Sequence, residues 1–351
     1  MTRVIAPTHV EQRAHAGCKD SLDTHNPPDA AACGLTRWRE YSRRSWGRLQ
    51  RRYPHPETSP RVEEINPPIR KDGEPWPPGH YYSALPNLAW VRQRSGAIFG
   101  DRRSIPGIDL RVIEQLALAE RFSELVRDAP FPSQPDPRHR YYSDNPFFGY
   151  ADGLILNCVI RYLQPLRIVE VGSGFSSALI LDTNDRDLGG RCRCTFIDPE
   201  QDRLRSLLSE RDLRAATVVD RPVQDVSPAL FSELDSGDVL FIDSSHVSKV
   251  GSDVNYLLLE VVPTLADGVM VHLHDILWPF EYLPEWVFEG RAWNESYLVR
   301  ALLVENRSLE IVWFNHFLHH HHRAEVGALL RGWAQTPGGS LWLRTVAHNR
   351  R

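Results

Sequence analysis

The sequence predicts an α/β fold in which helices cover both faces of a seven-stranded, mostly parallel sheet. Two patterns carry this prediction. From about residue 145 onward, seven short apolar runs alternate with segments of helix length, which is typical of a doubly wound sheet. The first run breaks into a glycine-rich turn that leads into a helix, as in folds that bind ligands at the carboxyl ends of their strands.

Four segments of different composition follow one another along the chain. The second segment carries aromatic and Pro-rich pieces around a predicted helix at 109–126, with Asp109 as its N-cap. The predicted organisation is a polar, Arg- and Pro-rich flexible tail at 1–75, a cap or lid at 76–145, the α/β domain at 146–345 and a short tail at 346–351.

Within the α/β domain a helix comes first and the strands follow. The helix is predicted over 147–163, with Asp144 or Asn145 as its cap and Pro146 in its first turn. A turn at Pro337-Gly-Gly precedes the last strand, so the last two strands are expected to form a hairpin-like edge of the sheet. The strands are predicted at 166–171, 194–197, 216–219, 239–242, 269–273, 309–314 and 340–343.

The composition excludes two classes of partner. Hydrophobic residues make up 42% of the 351 residues and charged residues 25%, as in an ordinary globular protein. The formal net charge of −4 provides no general attraction to nucleic acid or to an anionic membrane.

No stretch reaches the ~18 apolar residues of a membrane helix, and the first residues lack the apolar centre of a secretory signal. The expected location is the cytoplasm.

The glycine-rich turn is the most informative single motif. It reads Ile168-Val-Glu-Val-Gly-Ser-Gly-Phe-Ser-Ser177, and glycine there lets the backbone approach a ligand closely. A Gly-x-Gly turn alone also opens dinucleotide-binding folds, although Ser177 stands where those folds need Gly or Ala. Two acids favour a different cofactor: Glu170, two residues before the first glycine, and Asp198, at the end of the next strand.

With these acids, the sequence resembles the class I S-adenosylmethionine-dependent methyltransferases. More narrowly, residues 79–344 resemble the bacterial methyltransferase type 24 family, which implies a Rossmann-like fold and S-adenosyl-L-methionine as cofactor. The sequence departs from the commonest pattern at Ser176, where a third glycine is usual. Besides the glycine loop, the resemblance is carried by Tyr141-Tyr-Ser-Asp-Asn-Pro-Phe-Phe-Gly149, Phe241-Ile-Asp-Ser-Ser-His246 and Val271-His-Leu-His-Asp-Ile276.

The resemblance also implies a set of cofactor-binding residues. One group would hold the methionine part, one acid the ribose hydroxyls, and a pair after the third strand the adenine. Asp198 and Asp225 have an alternative role as helix caps. The residues carried over are Glu170, Gly172, Ser173 and Gly174 for the methionine part, Asp198 for the ribose, and Gln224 and Asp225 for the adenine.

Acids and histidines follow the fourth and fifth strands, and these strands are expected to be neighbours. Asp243, His246, His274 and Asp275 should therefore surround one crevice. In one interpretation Asp243, Asp275 and His274 bind Mg²⁺ or another divalent cation, which polarises a substrate hydroxyl. In another interpretation no metal is bound, and His246 or His274, with Asp243 nearby, acts as the general base that removes the proton of the acceptor. The alternative is structural: Asp243 caps a helix, and the histidines bond to backbone. His272 points to the other face of its strand and is expected to pack in the core.

Aromatic segments admit a functional and a packing interpretation. Tyr141, Tyr142, Phe147 and Phe148 either form a lid over the cofactor or staple the entering helix to the sheet. The run 319–322 of four histidines is expected to be a solvated loop outside the cleft. An aromatic stretch after the fifth strand either walls a substrate pocket or packs against the cap or a dimer interface; it contains Trp278, Phe280, Trp286 and Trp293, with Arg291 or Glu295 to orient a substrate.

The function predicted from the sequence is methyl transfer from S-adenosylmethionine to a small-molecule acceptor, preferably an oxygen nucleophile. The alternatives are a metal-dependent oxygenase similar to the cephalosporin-hydroxylase-like proteins, and a non-catalytic cofactor-binding partner protein. A nucleic-acid substrate is disfavoured, because residues 145–345 show no basic face and no Asn-Pro-Pro-Tyr-type signature. A homo-oligomer is left open.

Overall fold

A computed structural model of the protein describes residues 76–126 and 131–347. The tail predicted at 1–75 and the last four residues lie outside these ranges. Within them, no helix combines the length and the apolar character needed to cross a bilayer.

Seven strands form one sheet in the order β3-β2-β1-β4-β5-β7-β6. Neighbouring strands from β3 to β5 run parallel, whereas β7 is antiparallel to both β5 and β6. The predicted fold class is confirmed, and so is the pairing of the last two strands, although β7 rather than β6 lies next to β5. The strands are β1 (Arg167–Val171), β2 (Arg193–Ile197), β3 (Thr217–Val219), β4 (Val239–Ile242), β5 (Met270–Leu273), β6 (Leu309–Phe314) and β7 (Leu341–Thr345).

Helices connect the strands and precede the sheet. The helices are α1 (Leu88–Gln93), α2 (Ser95–Ile98), α3 (Val112–Leu125), α4 (Tyr150–Leu163), α5 (Phe175–Asp187), α6 (Asp202–Leu207), α7 (Glu210–Ala215), α8 (Ala229–Ser232), α9 (Asp253–Asn255), α10 (Pro284–Phe288), α11 (Glu295–Leu303), α12 (Asn315–His321) and α13 (Arg323–Leu329). A π-helical segment, Tyr256–Val261, continues α9, and short 3-10 turns occur at Val223–Asp225, Val262–Thr264 and Trp333–Gln335.

The central strands are almost entirely buried. Every residue of β4 and β5 is buried, as are the last four residues of β1. Strands of a parallel sheet covered on both faces have this near-continuous apolar pattern. Because their sides are occupied by core packing, these strands offer polar groups to a ligand only at their ends.

Helix α4 begins at Tyr150 and not at 147 as predicted. The side chain of Asn145 accepts hydrogen bonds from the backbone N–H of Phe147 (3.0 Å) and Phe148 (2.7 Å) and donates to the carbonyl of Tyr142 (2.7 Å). An Asn side chain that bonds to nearby backbone stabilises a turn in competition with the helix. The proposed cap residue therefore stabilises a turn ahead of the helix.

Helix α3 also begins later than predicted, at Val112. The carboxylate of Asp109 accepts from the backbone N–H of Arg111 (3.0 Å), and Arg111 has a left-handed backbone with φ of 48°. A helix cannot continue through a left-handed residue, so Asp109 lies in the turn and Arg111 is the N-cap.

Arg140 anchors the segment before α4 to the rest of the domain. Its guanidinium contacts the carboxylates of Asp182 (3.0 Å) and Asp185 (2.7 Å) on α5, and of Asp212 (2.7 Å) on α7. The next residue, Tyr141, is fully buried and its hydroxyl donates to the carbonyl of Phe148 (2.8 Å). Of the two interpretations of Tyr141, a lid over the cofactor or a contact that fixes the entering helix to the sheet, the observed one is the second.

Candidate active site

The glycine loop touches the end of the neighbouring strand β4. Gly172 has φ of 81°, and a Cβ added there would lie 1.9 Å from the carbonyl oxygen of Asp243. Only glycine adopts this conformation without strain and also leaves room for that oxygen. The predicted cofactor loop and the first residue of the predicted catalytic cluster are therefore in direct contact.

Glu170 lies beneath the first turn of α5. It is fully buried, and its carboxylate accepts hydrogen bonds from the hydroxyls of Ser176 (2.5 Å) and Ser177 (2.6 Å). Burial raises the pKa of Glu170 to about 8, although the two serine hydroxyls act in the opposite direction. This contact gives a physical reason for serine at position 176, where the resemblance led us to expect glycine: its hydroxyl binds the acid that shapes the loop.

Asp198 joins the glycine loop to the end of β2. One carboxylate oxygen accepts from the backbone N–H (2.8 Å) and the hydroxyl (2.9 Å) of Ser173, and the other from the N–H of Glu200 (2.8 Å). The half-buried Asp198 thus holds Ser173 of the loop in place. Its contact with a ribose stays a prediction.

Gln224 and Asp225 lie in the short 3-10 turn after β3 and are exposed. The side-chain amide of Gln224 donates to the carbonyl of Gly251 (2.7 Å). Asp225 caps neither this turn nor α8, whose N-caps are Pro222 and Pro228. The alternative role of Asp225 as a helix cap is wrong, and its contact with adenine stays a prediction.

The four residues predicted to surround one crevice lie together. Asp243 Oδ1 is 3.4 Å from both His246 Nε2 and His274 Nδ1. Asp275 has one oxygen 3.8 Å from His246 Nε2 and the other 3.7 Å from His274 Nδ1. Carboxylates and imidazoles therefore alternate around a ring at the ends of β4 and β5, which we call the Asp/His ring.

A third carboxylate lies behind each histidine of the ring. His246 Nδ1 is 2.8 Å from Glu295 Oε2, and His274 Nε2 is 3.6 Å from Asp152 Oδ2. Glu295 was considered only as a substrate-orienting group, and Asp152 was not singled out. The signal for Asp152 is an acid inside an apolar stretch, since residues 151–160 of α4 are all buried.

The carboxylates favour the protonated form of both ring histidines. Burial alone would lower the pKa of His246, but hydrogen bonds to Asp243 and Glu295 raise it to about 10. For His274, burial is likewise outweighed by the charges of Asp243 and Asp275, so its pKa is well above the usual value. Burial raises the pKa of Asp275, although both ring histidines act in the opposite direction; at Asp243 the histidines outweigh burial and hold the pKa well below its usual value.

The carboxylates of the ring are its accessible part. The Asp243 side chain is 28% exposed and that of Asp275 20%, against 7% for His246 and 6% for His274. In the described ranges, no three His, Cys, Asp or Glu residues are already arranged to hold a metal ion. The ring is closed by ion pairs, and a ligand entering from the cleft meets carboxylate oxygens first.

The aromatic stretch after β5 divides into two groups. The ring of Trp293 lies 4.5 Å from His246 and 5.2 Å from Trp286, beside the Asp/His ring. Trp278 and Phe280 are buried elsewhere, with Trp278 4.9 Å from Phe317 of α12. Trp293 thus fits the predicted pocket wall, whereas Trp278 and Phe280 pack in the core.

The aromatics before α4 also differ in their surroundings. Phe148 is buried 5.2 Å from His274, measured between ring centroids. Tyr142 and Phe147 are half-buried against Phe175, the first residue of α5, at 5.4 and 6.0 Å. A lid role stays a prediction for these two residues beside the glycine loop.

The remaining histidines lie outside the ring. His272 is buried, stacks on Phe241 at 3.7 Å and has Nε2 2.9 Å from Ser340 Oγ, in keeping with the predicted packing role. The prediction that the four-histidine run forms a loop is wrong. The run is the end of α12 and the residue after it. There His319 and His321 bond the carbonyls of Ala334 (3.2 Å) and Arg102 (2.9 Å), so tertiary contacts explain them.

Comparison with known proteins places this arrangement in a family. A family model described as "Methyltransferase domain" matches residues 169–276, which contain the glycine loop, Asp198 and the whole Asp/His ring. An uncharacterised protein of Archaeoglobus fulgidus is 37% identical over 172 residues, covering 47% of this chain and 76% of that protein. The chain belongs to the class I methyltransferases, in the type 24 family. This methyltransferase therefore has the fold and the family that its motifs predict.

Solved methyltransferases show more distant likenesses. The S-adenosylhomocysteine-bound methyltransferase PaMTH1 of Podospora anserina is 14% identical, with 76% of this chain and 99% of that chain covered and a TM-score of 0.37. The O-methyltransferase TomG of Streptomyces achromogenes, in complex with S-adenosylmethionine, is 14% identical, with 74% and 97% covered and a TM-score of 0.38. At these values the likenesses carry no argument about chemistry.

Proposed function

We propose that this methyltransferase transfers the methyl group of S-adenosylmethionine to an oxygen atom of a small molecule. The observation that carries the proposal is the contact between Gly172 and Asp243. It joins the loop expected to bind the cofactor to the ring expected to bind the acceptor. A sulfonium methyl group and an acceptor oxygen bound at these two places would share one cleft, as the displacement requires.

The methyltransferase's own groups have separate tasks in this reaction. The electron pair of the acceptor oxygen forms the new O–C bond, and the pair of the breaking S–C bond stays on sulfur. The hydroxyl proton must leave the oxygen. The backbone at Gly172, Ser173 and Gly174, together with Asp198, would hold the cofactor. The Asp/His ring would bind the acceptor hydroxyl and promote the loss of its proton.

A divalent cation bound at the Asp/His ring is the first candidate for promoting the loss of the hydroxyl proton. Asp243, Asp275 and His274 would hold it, since carboxylate and imidazole are common ligands of divalent metals. One observation fits: each ring histidine has a carboxylate beside the nitrogen that faces away from the ring, as metal-bound histidines usually do. When bound, the cation would lower the pKa of the acceptor hydroxyl.

A metal-free route is the second candidate. It is supported by the ion pairs that join Asp243 and Asp275 to the two ring histidines. In this route Asp275 accepts the proton, because its carboxylate is partly exposed and burial raises its pKa, whereas the two histidines outweigh burial and hold the pKa of Asp243 well below its usual value. The histidines, which the sequence suggested as bases, would hold the carboxylates in place.

Calorimetric titration with S-adenosylmethionine and S-adenosylhomocysteine tests the cofactor. We expect micromolar binding to the wild type and at least about tenfold weaker binding to Asp198→Ala, which loses charged hydrogen bonds. Asp267→Ala is the matched control, because this exposed acid lies just before β5, at the opposite edge of the sheet. Absence of binding to the wild type would refute the proposal.

The same titration with magnesium or manganese chloride separates the two routes. The cation route predicts saturable binding that Asp243→Asn and Asp275→Asn abolish and Asp267→Asn retains. If the wild type binds S-adenosylhomocysteine but neither cation, the metal-free route is the correct one.

A further inference from the structure

Arg203, on α6, lies across the glycine loop. Its side chain contacts Gly174 closely, since a Cβ added to that glycine would lie 2.8 Å from Arg203 Cδ and 3.5 Å from its Cγ. At the end of the side chain, the guanidinium carbon lies 3.8 Å from the centre of the Phe147 ring. The methylene stem therefore covers the loop, and the charged group lies over an aromatic ring from the segment before α4.

The positive charge of Arg203 has no carboxylate partner among the residues that the structure describes, whereas Arg140 contacts three carboxylates. Arg203 is also exposed. A cation–π contact holds a guanidinium in place and leaves most of its N–H donors available to a planar anion. Arg203 is therefore suited to bind an anionic group of a ligand beside the glycine loop.

The position of Arg203 along the loop indicates which part of the cofactor it would meet. The acid expected to bind the ribose, Asp198, accepts from the backbone N–H (2.8 Å) and the hydroxyl (2.9 Å) of Ser173. Arg203 covers the next residue, Gly174, which the resemblance assigns to the methionine part. The guanidinium thus lies on the methionine side of the ribose acid.

The charges of the cofactor select one group there. The carboxylate of the methionine part is the only anionic group of S-adenosylmethionine, while its ammonium and sulfonium groups are cationic and its adenosine part is neutral. A carboxylate that enters a cleft without a partner loses favourable hydration. A guanidinium replaces that hydration with charge-assisted hydrogen bonds, often two in parallel.

We propose that Arg203 binds the carboxylate of the methionine part and so selects a cofactor whose amino acid group is intact. Phe147 holds the guanidinium over Gly174 in this arrangement, which gives a half-buried aromatic residue beside the loop a role at the cofactor site. The inference rests on the proposed function, because it requires S-adenosylmethionine to bind at the glycine loop.

Calorimetric titration of Arg203→Met with two ligands tests the inference. S-adenosylhomocysteine carries the carboxylate, and decarboxylated S-adenosylhomocysteine lacks only that group. Methionine keeps an apolar stem against Gly174 but has no charge. We expect the variant to bind S-adenosylhomocysteine at least about tenfold more weakly than the wild type does, because charge-assisted hydrogen bonds are lost. Its affinity for the decarboxylated ligand should fall by less than about threefold.

Arg214→Met is the matched control. Arg214 is an exposed arginine of α7 that pairs with Glu210 at 3.8 Å, and α7 ends just before β3 begins, at the opposite edge of the sheet. This variant should bind both ligands as the wild type does. Equal weakening of both ligands in Arg203→Met would overturn the inference, because Arg203 would then only support the loop. Unchanged affinity for both ligands would overturn it as well.

Arg203→Gln is the second variant, for the case in which Arg203→Met does not fold. Glutamine also lacks the charge and is well suited to an exposed position, so we expect the same selective loss of affinity for S-adenosylhomocysteine. A loss that is equal for both ligands would contradict the inference here too. Failure of the proposed function looks different, because the wild type would then bind no S-adenosylhomocysteine. A wild type that binds both ligands equally well overturns the role of Arg203 alone.

Discussion

Two residues of the glycine loop have unusual surroundings. Glu170 brings a carboxyl into a fully buried place, and Gly172 brings the backbone of β1 against that of β4. Both features shape the loop from beneath, so their effects should appear first in stability. Each is accessible to a single substitution with a control.

Glu170→Gln should change how stability depends on pH. The pKa of Glu170 is about 8 in the folded protein against a usual value of 4.5. A raised folded-state pKa means that its contribution is fully present below about pH 4.5 and is lost as the pH rises through about 8. Glu170→Gln removes this titration, so its stability should exceed that of the wild type increasingly above pH 5, by at most about 5 kcal/mol at pH 8.5.

Urea unfolding at about pH 5.5, 7 and 8.5 measures the free energy of unfolding of both proteins. Asp267→Asn, an exposed acid far from the loop, should leave the pH dependence unchanged. Parallel stability curves for Glu170→Gln and the wild type would mean that Glu170 does not hold its proton in the folded state.

Gly172→Ala should destabilise the protein by more than its backbone conformation alone requires. The control is Gly237→Ala, since Gly237 has a similar φ of 87° but no atom within 4 Å of an added Cβ. Both variants acquire left-handed strain of about 1–2 kcal/mol, and only Gly172→Ala also collides with the Asp243 carbonyl. We expect an excess loss of ~2 kcal/mol or more in urea unfolding; equal losses would show that β1 and β4 separate easily there.

At the scale of elements, ion pairs and turns determine where α4 begins. Arg140 ties the preceding segment to α5 and α7, and Asn145 closes the turn before Tyr150. Because α4 carries Asp152, the starting point of this helix also fixes how that carboxylate meets His274. Packing before the helix and chemistry at the strand ends are thereby connected through one element.

Arg140→Met should cost about 2–4 kcal/mol of stability, because it leaves Asp182, Asp185 and Asp212 facing one another without their common cation. Arg138→Met is the matched control. Arg138 pairs with Asp136 at the surface, its side chain being 83% exposed, and such pairs contribute ~0–1 kcal/mol. Thermal or urea unfolding of both variants gives the comparison, and losses of similar size would refute the anchoring role of Arg140.

For the whole molecule, the carboxyl ends of β1, β2, β4 and β5 form one edge at which loop, acid and ring meet. A ligand bound there contacts several strands at once, so it should stabilise the folded state as a unit. At a concentration one hundred times its dissociation constant, S-adenosylhomocysteine should add ~2.7 kcal/mol. We expect the melting temperature to rise by roughly 5–10 °C.

Differential scanning calorimetry tests this expectation. Asp198→Ala should show a much smaller rise at the same ligand concentration, and Asp267→Ala should match the wild type. A wild-type melting temperature that does not respond to the ligand would contradict cofactor binding at this edge.

The sequence by itself determined the sheet and the position of its functional edge. The bounds of β4 and β6 agree with the prediction, because buried strands appear as apolar runs. The glycine loop follows from the local need for a left-handed residue at Gly172. The meeting of Asp243, His246, His274 and Asp275 could be predicted, since all four lie in the segments just after β4 and β5 and these strands are neighbours.

Only the tertiary structure decided what surrounds that edge. The partnership of Asp152 with His274 joins a helix to a distant strand, and no local pattern records it. The same holds for Trp278, which packs in the core, and for Asn145, whose bonds to backbone delay the start of α4. Local periodicity fixes strands and turns, whereas these contacts depend on how remote segments pack, because burial leaves each polar group only the partners that the fold brings to it.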